Sequence, residues 1–356
     1  MDSPILAQKK APHTFVIAEA GVNHNGSEEF ALRIIELAAR AGADAVKFQT
    51  FKASKLVSKG TATAEYQKEQ TGNSDQYTML KKLELTDQLH EKIIQHCKAH
   101  DIEFMSTPFD IDSAHYLLSL GMERFKIPSG ELTNIPFLRE LAAFDKPMIL
   151  STGMATLEEV KEAVAAINEA REECGFVAPL ESVLTVLHCT SNYPAPLEDV
   201  NLSAIHTMVR ELPVPIGYSD HTAGILVPVA AVAMGATVIE KHFTLDKNLP
   251  GPDHQASLEP NELTEMVQQI RQIEISMGSG VKEPSAKELP VRELVRRSVT
   301  VVVDKAEGEI LTKDDVELLR PGTGIPPKHL ESIVGRRLKV AKNKGSVLLW
   351  QDLVDA

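Results

Sequence analysis

Short apolar, β-rich runs alternate along this chain with longer stretches whose apolar positions recur every three or four residues. The runs lie at Phe15–Glu19, Ala45–Thr50, Glu103–Thr107, Arg124–Pro128, Pro147–Thr152, Val183–Cys189, Pro215–Ser219 and Val238–Phe243. They read as strands. Stretches such as EEFALRIIELAARAG, with apolar spacing of three and four and a glycine at the end, read as amphipathic helices. Ser27 is placed to cap a helix whose first turn carries Glu28 and Glu29, and Thr156 with Glu159 reads as a capping box.

Strands and helices in strict alternation imply a parallel sheet. Eight such repeats favour a closed (β/α)8, or TIM, barrel over a doubly wound sheet. The barrel is expected from about Thr14 to Met277, within a catalytic domain of residues 1–280. The doubly wound rival needs Gly-x-Gly-x-x-Gly after the first strand, and EAGVNHNG does not supply it. Residues 51–85 interrupt the pattern between the second strand and its helix. A loop of that length is expected to cover an active site, the alternative being a peripheral helical excursion. GSGVKEPSAKELPV then reads as a linker, residues 281–292. RRSVTVVVD, KAEGEILT and RRLKVAKNKGSVLLW follow, strand-like runs with glycine turns and little helix. They predict a small β-rich domain over 293–356, marginal alone and helped by packing on the barrel or on a second protomer.

Composition narrows the function. Fifty acidic against 37 basic residues give a net charge of −13, which disfavours nucleic acid and anionic membranes as partners. A local lysine cluster can still hold an anionic substrate at short range. Three cysteines without a Cys-x-x-Cys pair point away from disulfides and zinc ribbons and toward the reducing cytoplasm. No secretory signal and no membrane span are expected.

In such a barrel, residues at the C-terminal strand ends face the active site. Here those ends carry Glu19, Lys47, Gln49, Thr107, Phe109, Lys126, Ser129, Glu131, Ser151, Ser191, Tyr193, Ser219, His221, Glu240 and His242. Lys47 and Lys126 sit in otherwise apolar strands, where a lysine must be paired or held by a ligand. With the hydroxyls of Thr107, Ser129, Ser151 and Ser219 they suit a small, multiply charged anion. A buried Lys–Glu pair and a Schiff-base aldolase lysine are the alternatives. His221 and His242 end neighbouring strands and suit an open metal site, completed by water, substrate or a carboxylate such as Glu131. Asp220 and Glu240 are expected to orient neighbouring groups. His188 is expected to pack beneath the site and Cys189 in the core. Tyr66, Tyr77 and His24 are candidate lid contacts or surface residues.

The runs IAEAGVNHNG, AVKFQTFKA, STPFD, KIPSGE, ILSTGMAT, HCTSNYPAP, GYSDHT and EKHFTLDK, with GPDHQASLEP after them, resemble the sialic acid synthase family in its own order. KAEGEILTKDDVELLRPGTGI resembles the antifreeze-like (SAF) domain those synthases carry. The resemblance implies condensation of phosphoenolpyruvate with an open-chain, N-acylated mannose-type sugar, with water added and phosphate lost by C–O cleavage. It implies that Lys47, Thr107, Lys126, Ser129, Ser151 and Ser219 hold phosphoenolpyruvate and that His221 and His242 bind Mn2+ or Mg2+. It further implies that Glu19, Tyr193 and Asp253 contact the sugar or reacting centre, and that Gln49 and Glu131 lie near metal and aldehyde. Arg320 would reach the partner protomer's barrel in a homodimer with exchanged C-terminal domains. Some members have Asn directly after His-Cys-Thr, where this chain has Ser191. N-acetylneuraminate is the expected product. Legionaminate, made from 2,4-diacetamido-2,4,6-trideoxymannose, is the alternative, and GPDHQAS fits the pseudaminate branch poorly. A non-catalytic sugar-binding protein is the remaining alternative.

Overall fold

A computed structural model of the chain describes residues 13–62 and 75–354. It divides into two compact units, residues 1–278 and 279–356. The first holds β1 (Phe15–Gly21), β2 (Ala45–Thr50), β3 (Glu103–Pro108), β4 (Phe125–Ile127), β5 (Met148–Ser151), β6 (Leu184–Cys189), β7 (Ile216–Asp220) and β8 (Val238–His242). They run in parallel in the order β3-β2-β1-β8-β7-β6-β5-β4. β3 and β4 lie side by side and bring the sheet round into a TIM-like barrel. The strand assignments of the apolar runs hold to within a residue or two at their ends, as expected where ends fray.

Local chemistry sets the helices. Ser27 accepts the Phe30 N–H and caps the helix Glu28–Ala41, which ends at Gly42 with φ of 83°. That left-handed value suits a residue without Cβ. Thr156 and Glu159 form a reciprocal capping box on the helix Leu157–Glu173. The buried faces of these helices share one apolar layer with the outward side chains of the strands, among them Val46, Phe48, Ile239 and Phe243.

The barrel interior has its own plug: Ile17, Ala45, Met105, Ile149, Leu187 and Val238. Gly217 belongs to the same level. A Cβ there would stand 2.5 Å from Leu187 Cδ2 and 2.6 Å from the Val238 carbonyl oxygen, so only glycine lets the plug close.

In the insertion the described residues 51–62 and 75–85 carry helices at Ala53–Leu56 and Gln76–Lys81. Phe51, Met79 and Leu83 pack with Val22 into a small apolar cluster, with Phe109 against it. The described parts of the insertion therefore flank one side of the barrel mouth. Tyr66 lies outside the described residues.

The second unit has its own apolar core, including Val299, Val301, Leu311, Ile325 and Leu348. Antiparallel β9 (Ser298–Val301) and β10 (Val316–Leu319) are its named strands. It departs from expectation at one place: Glu288–Val295 is a helix within and beyond the stretch read as linker. Its start is fixed by the Glu288 carboxylate, which accepts the Ser285 N–H at 2.7 Å.

Candidate active site

Strand alternation moves the interior from plug to site in one step of two residues. Two positions beyond Ile17, Ala45, Met105, Ile149, Gly217 and Val238 stand Glu19, Lys47, Thr107, Ser151, Ser219 and Glu240. These side chains, with Lys126, Ser129, Ser191, Tyr193, His221 and His242, line a cavity of 420 Å³. Gln49, Phe109 and the insertion's Gln76 line it as well.

Its floor is a charged cluster. Lys47 Nζ lies 2.5 Å from Glu19 Oε2 and 3.6 Å from Glu240 Oε2, and donates to Thr107 Oγ1 at 3.0 Å. Lys126 Nζ is 3.4 Å from Glu240 Oε1, which also accepts the Ser219 hydroxyl at 2.8 Å. The Lys–Glu pairing weighed in the sequence is thus present, with Glu240 between both lysines.

The four groups respond differently to burial. Burial would lower Lys47, but Glu19 and Glu240 overcome it and hold its ammonium above the usual value. Burial pulls Lys126 down, against the pull of Glu240. Glu240 is held down to about 2: both lysines outweigh its desolvation. Glu19 goes the other way, up to about 7, through desolvation and then the negative Glu240 against the opposing Lys47. At neutral pH Glu19 therefore carries its proton part of the time. In that state Glu240 is the cluster's one carboxylate, facing both lysines where an anion would sit.

The second feature is an imidazole pair. The rings of His221 and His242 are 5.5 Å apart, and Tyr193 lies 4.1 Å from the first and 5.6 Å from the second. Desolvation lowers the pKa of both, so both are neutral near pH 7. His221 Nδ1 faces the Thr190 carbonyl at 2.6 Å. A carbonyl only accepts, so Nδ1 carries the proton and the Nε2 lone pair is left for a ligand. His242 Nδ1 is buried with no hydrogen-bond partner among the described residues. Two neutral imidazoles, one orphaned, beside carboxylates fit a divalent ion. Ser151 Oγ is likewise buried and unpartnered among the described residues. Another potential ligand group, Glu36, His96 and His100, lies on outer helices, with its atoms within 4.8 Å of one another.

Glycines open the rim. A Cβ on Gly153 would come within 2.2 Å of Ser191 Oγ and 2.9 Å of Ser129 Oγ, whose hydroxyl oxygen accepts the Gly153 N–H at 2.9 Å. Gly21, at φ of 51°, lets Glu19, Gln49 and Asp253 converge, each within 4 Å of where its Cβ would be. Asp253 is buried, and desolvation raises its pKa to about 6.

Some expectations change. Glu131 does not line the cavity. The turn Ser129–Glu131 after β4 directs its carboxylate to the Asn134 amide at 2.7 Å, at the start of the next helix. His24 is neither lid nor surface: it is fully buried, and its Nδ1 accepts the Gly26 N–H. Tyr77 is half-buried, with Lys59 over its ring. His188 packs against the Val200 carbonyl, and Cys189 is buried, 3.2 Å from Ser129 Oγ. Arg320 belongs to the second unit and is exposed.

Sequence reasoning missed a side chamber of 270 Å³ with one apolar wall. Val22, Phe51, Leu56, Val57, Met79, Leu80 and Leu83 line it. It shares Gln49, Gln76, Phe109, Tyr193 and His242 with the charged cavity, so the two adjoin at the imidazole end. Its residues come from β2, β8, the insertion and the segments that follow β1, β3, β6 and β8, and no contiguous motif announces it.

A TIM-like barrel with lysines, carboxylates and imidazoles gathered at its C-terminal strand ends places the chain in the class of α/β-barrel enzymes. The NeuB family model matches residues 34–282, and the SAF domain model matches residues 296–354. The chain belongs to the NeuB family. It is 52% identical to the N,N'-diacetyllegionaminic acid synthase of Legionella pneumophila, over 95% of this chain and 94% of that one. It is 34% identical to the human N-acetylneuraminate-9-phosphate synthase, over 96% and 92%. Among solved structures, the N-acetylneuraminic acid synthetase of Leptospira borgpetersenii, in complex with citrate, superposes with a TM-score of 0.69. That match has 34% identity and covers 82% of this chain and 94% of that one.

Proposed function

We propose that this chain condenses phosphoenolpyruvate with an open-chain 2,4-diacetamido-2,4,6-trideoxymannose and water, giving a legionaminic acid and phosphate. The observation that carries the reaction class is the charged cavity itself: two buried lysines held by two buried carboxylates, next to two neutral imidazoles. The expectation of N-acetylmannosamine as the sugar gives way here. Legionaminate synthase relatives stand at higher identity than neuraminate ones, and the adjoining chamber has a wall of apolar side chains beside its polar ones. A 6-deoxy methyl and acetamido methyls gain from leaving water, about 0.8 kcal/mol per carbon. A hydroxymethyl in the same place leaves a hydroxyl to satisfy.

Lys47 and Lys126 would meet the carboxylate and phosphate of phosphoenolpyruvate, with Thr107, Ser129, Ser151 and Ser219 supplying hydroxyls. Ser151, buried without a partner among the described residues, suits such a ligand. His221 and His242 would hold Mn2+ or Mg2+, which when bound polarises the sugar's aldehyde oxygen. Tyr193, Gln49, Phe109 and Asp253 surround that end of the cavity and would orient the sugar. Carbon 3 of phosphoenolpyruvate forms the new bond to the aldehyde carbon as its own π bond and the carbonyl π bond open, and the aldehyde oxygen gains a proton to become a hydroxyl. Water adds at carbon 2 with loss of a proton. The C–O bond to phosphate breaks as the carbon 2 hydroxyl gives its proton to the leaving phosphate and becomes the ketone. Glu19, poised near pH 7 and inside the cavity, is the group to take the water's proton. Glu131, directed to Asn134, is not placed for it.

A substrate panel with phosphoenolpyruvate and Mn2+, read by phosphate release, tests this. The diacetamido trideoxy sugar should exceed N-acetylmannosamine in kcat/KM by tenfold or more. Equal or reversed values return the assignment to N-acetylneuraminate. Turnover without Mn2+ or Mg2+, trapped as a borohydride-stable adduct on Lys126 or Lys47, would replace the mechanism with a Schiff-base aldolase.

A further inference from the structure

Asp220 and Lys241 each precede one of the two histidines on neighbouring strands, and alternation sends their side chains out of the barrel as the imidazoles point in. On β8 the outward row reads Ile239, Lys241, Phe243, and both of Lys241's neighbours belong to the apolar layer between barrel and helices. Lys241 and Asp220 are nevertheless fully buried. The strand register pairs them directly, with Lys241 Nζ 2.5 Å from Asp220 Oδ2. The ammonium also donates to the Thr222 carbonyl. Asp220 Oδ1 accepts the Tyr218 hydroxyl and the Thr222 N–H, each at 3.1 Å, and Oδ2 accepts the Thr222 hydroxyl at 3.1 Å.

A buried ion pair is a poor way to add stability, since apolar residues of equal size usually do as well or better. What a fully satisfied buried network does supply is one fixed geometry. The two histidines differ in their other supports. His221 is tied through Nδ1 to the Thr190 carbonyl, whereas His242 Nδ1 has no partner among the described residues, so its placement rests on its backbone and packing. That backbone is the residue next to Lys241.

We propose that the buried Asp220–Lys241 pair is a positioning device for the divalent-ion site, clamping the ends of β7 and β8 so that His221 and His242 stay within reach of one ion. The proposal rests on the reading of those histidines as metal ligands. It assigns Lys241 and Asp220 no contact with substrate.

The experiment is Mn2+ titration of the full-length enzyme, by the electron paramagnetic resonance of free Mn2+, alongside phosphoenolpyruvate binding and thermal unfolding. Four proteins are compared: wild type, His242→Ala, Lys241→Met and the double variant Asp220→Asn/Lys241→Met. The double variant removes both charges, so no unpaired carboxylate is left to unfold it. The expected result is Mn2+ binding in wild type that His242→Ala removes, and a 10- to 100-fold weaker Mn2+ affinity in the two Lys241 variants. Phosphoenolpyruvate affinity should shift less than threefold in the same proteins, a split that a general loss of structure would not give. Subtracting the His242→Ala curve removes any ion held at Glu36, His96 and His100. Wild-type Mn2+ affinity in folded Lys241 variants overturns the proposal. So does a parallel fall of Mn2+ and phosphoenolpyruvate affinity with unfolding temperature, or failure of both variants to fold, since the pair would then serve the fold alone. If His242→Ala binds Mn2+ as wild type does, the metal reading itself fails, and that outcome is distinct.

Discussion

The lower and upper levels of the barrel interior are made by the same strands, two residues apart, and differ in almost every property. Below, Ile17, Ala45, Met105, Ile149, Leu187 and Val238 fill the space with carbon. Above, Glu19, Lys47, Thr107, Lys126, Ser151, Ser219 and Glu240 fill it with charge and hydroxyls, Lys47 and Lys126 each at 3% exposure. The lower level gains by leaving water; the upper level loses by it and is held by pairing. The plug makes the site possible because it fixes the strands from beneath. The upper level can then keep atoms such as Ser151 Oγ and His242 Nδ1, without partners among the described residues, that a stability-driven interior would not retain.

Substitutions on the two levels should separate, and the largest effect belongs to the upper one. Lys126→Met is expected to lower kcat/KM for phosphoenolpyruvate at least a thousandfold, about 4 kcal/mol of transition-state stabilisation, while the unfolding temperature moves by only a few degrees. Phosphate release and differential scanning calorimetry read the two quantities, and a large drop in unfolding temperature would blur the division. Met105→Ala, one level down, should do the reverse. It leaves a cavity costing about 2–5 kcal/mol, with kinetic constants at 20 °C within threefold of wild type. Lost turnover with unchanged stability would break the comparison.

A third test is electrostatic. Burial raises Asp253 from 3.8 to about 6. A carboxyl whose folded pKa lies above its unfolded one favours the folded state below the unfolded pKa, and that advantage is lost as pH rises through the folded pKa. Asp253→Asn should therefore stabilise the protein by about 3 kcal/mol at pH 8 and by close to nothing at pH 3, while turnover falls. Unfolding temperatures at both pH values check it, and equal gains at both would remove the burial argument. The smallest effect is expected at Arg320, exposed in the second unit. Arg320→Ala should raise the sugar KM several-fold more than that of phosphoenolpyruvate, and equal changes would speak against a sugar role.

Much of the upper level was legible beforehand, because strand alternation makes position a proxy for direction. Once β2 was placed, Lys47 and Gln49 had to share its inner face. Where the chain leaves the strand, that proxy ends. Glu131 follows Ser129 by two residues, yet the tight turn over Ser129–Glu131 carries its carboxylate to Asn134 and away from the cavity. Glu240 was read as an orienting group, and its place between Lys47 and Lys126 depends on three strands at once.

The sequence alone determined the barrel, its eight strands, the caps at Ser27 and Thr156 and the polar character of the strand ends, because periodicity and capping are local and need only neighbours in the chain. Only the tertiary structure decided which charges meet. Glu19 near pH 7 and Glu240 near 2 are the same residue type, separated by the desolvation and cations around each. The side chamber beside the imidazoles, and the pairing of Asp220 with Lys241 behind them, come from the ring of strands bringing distant segments together. Neither could be read from any single stretch of chain.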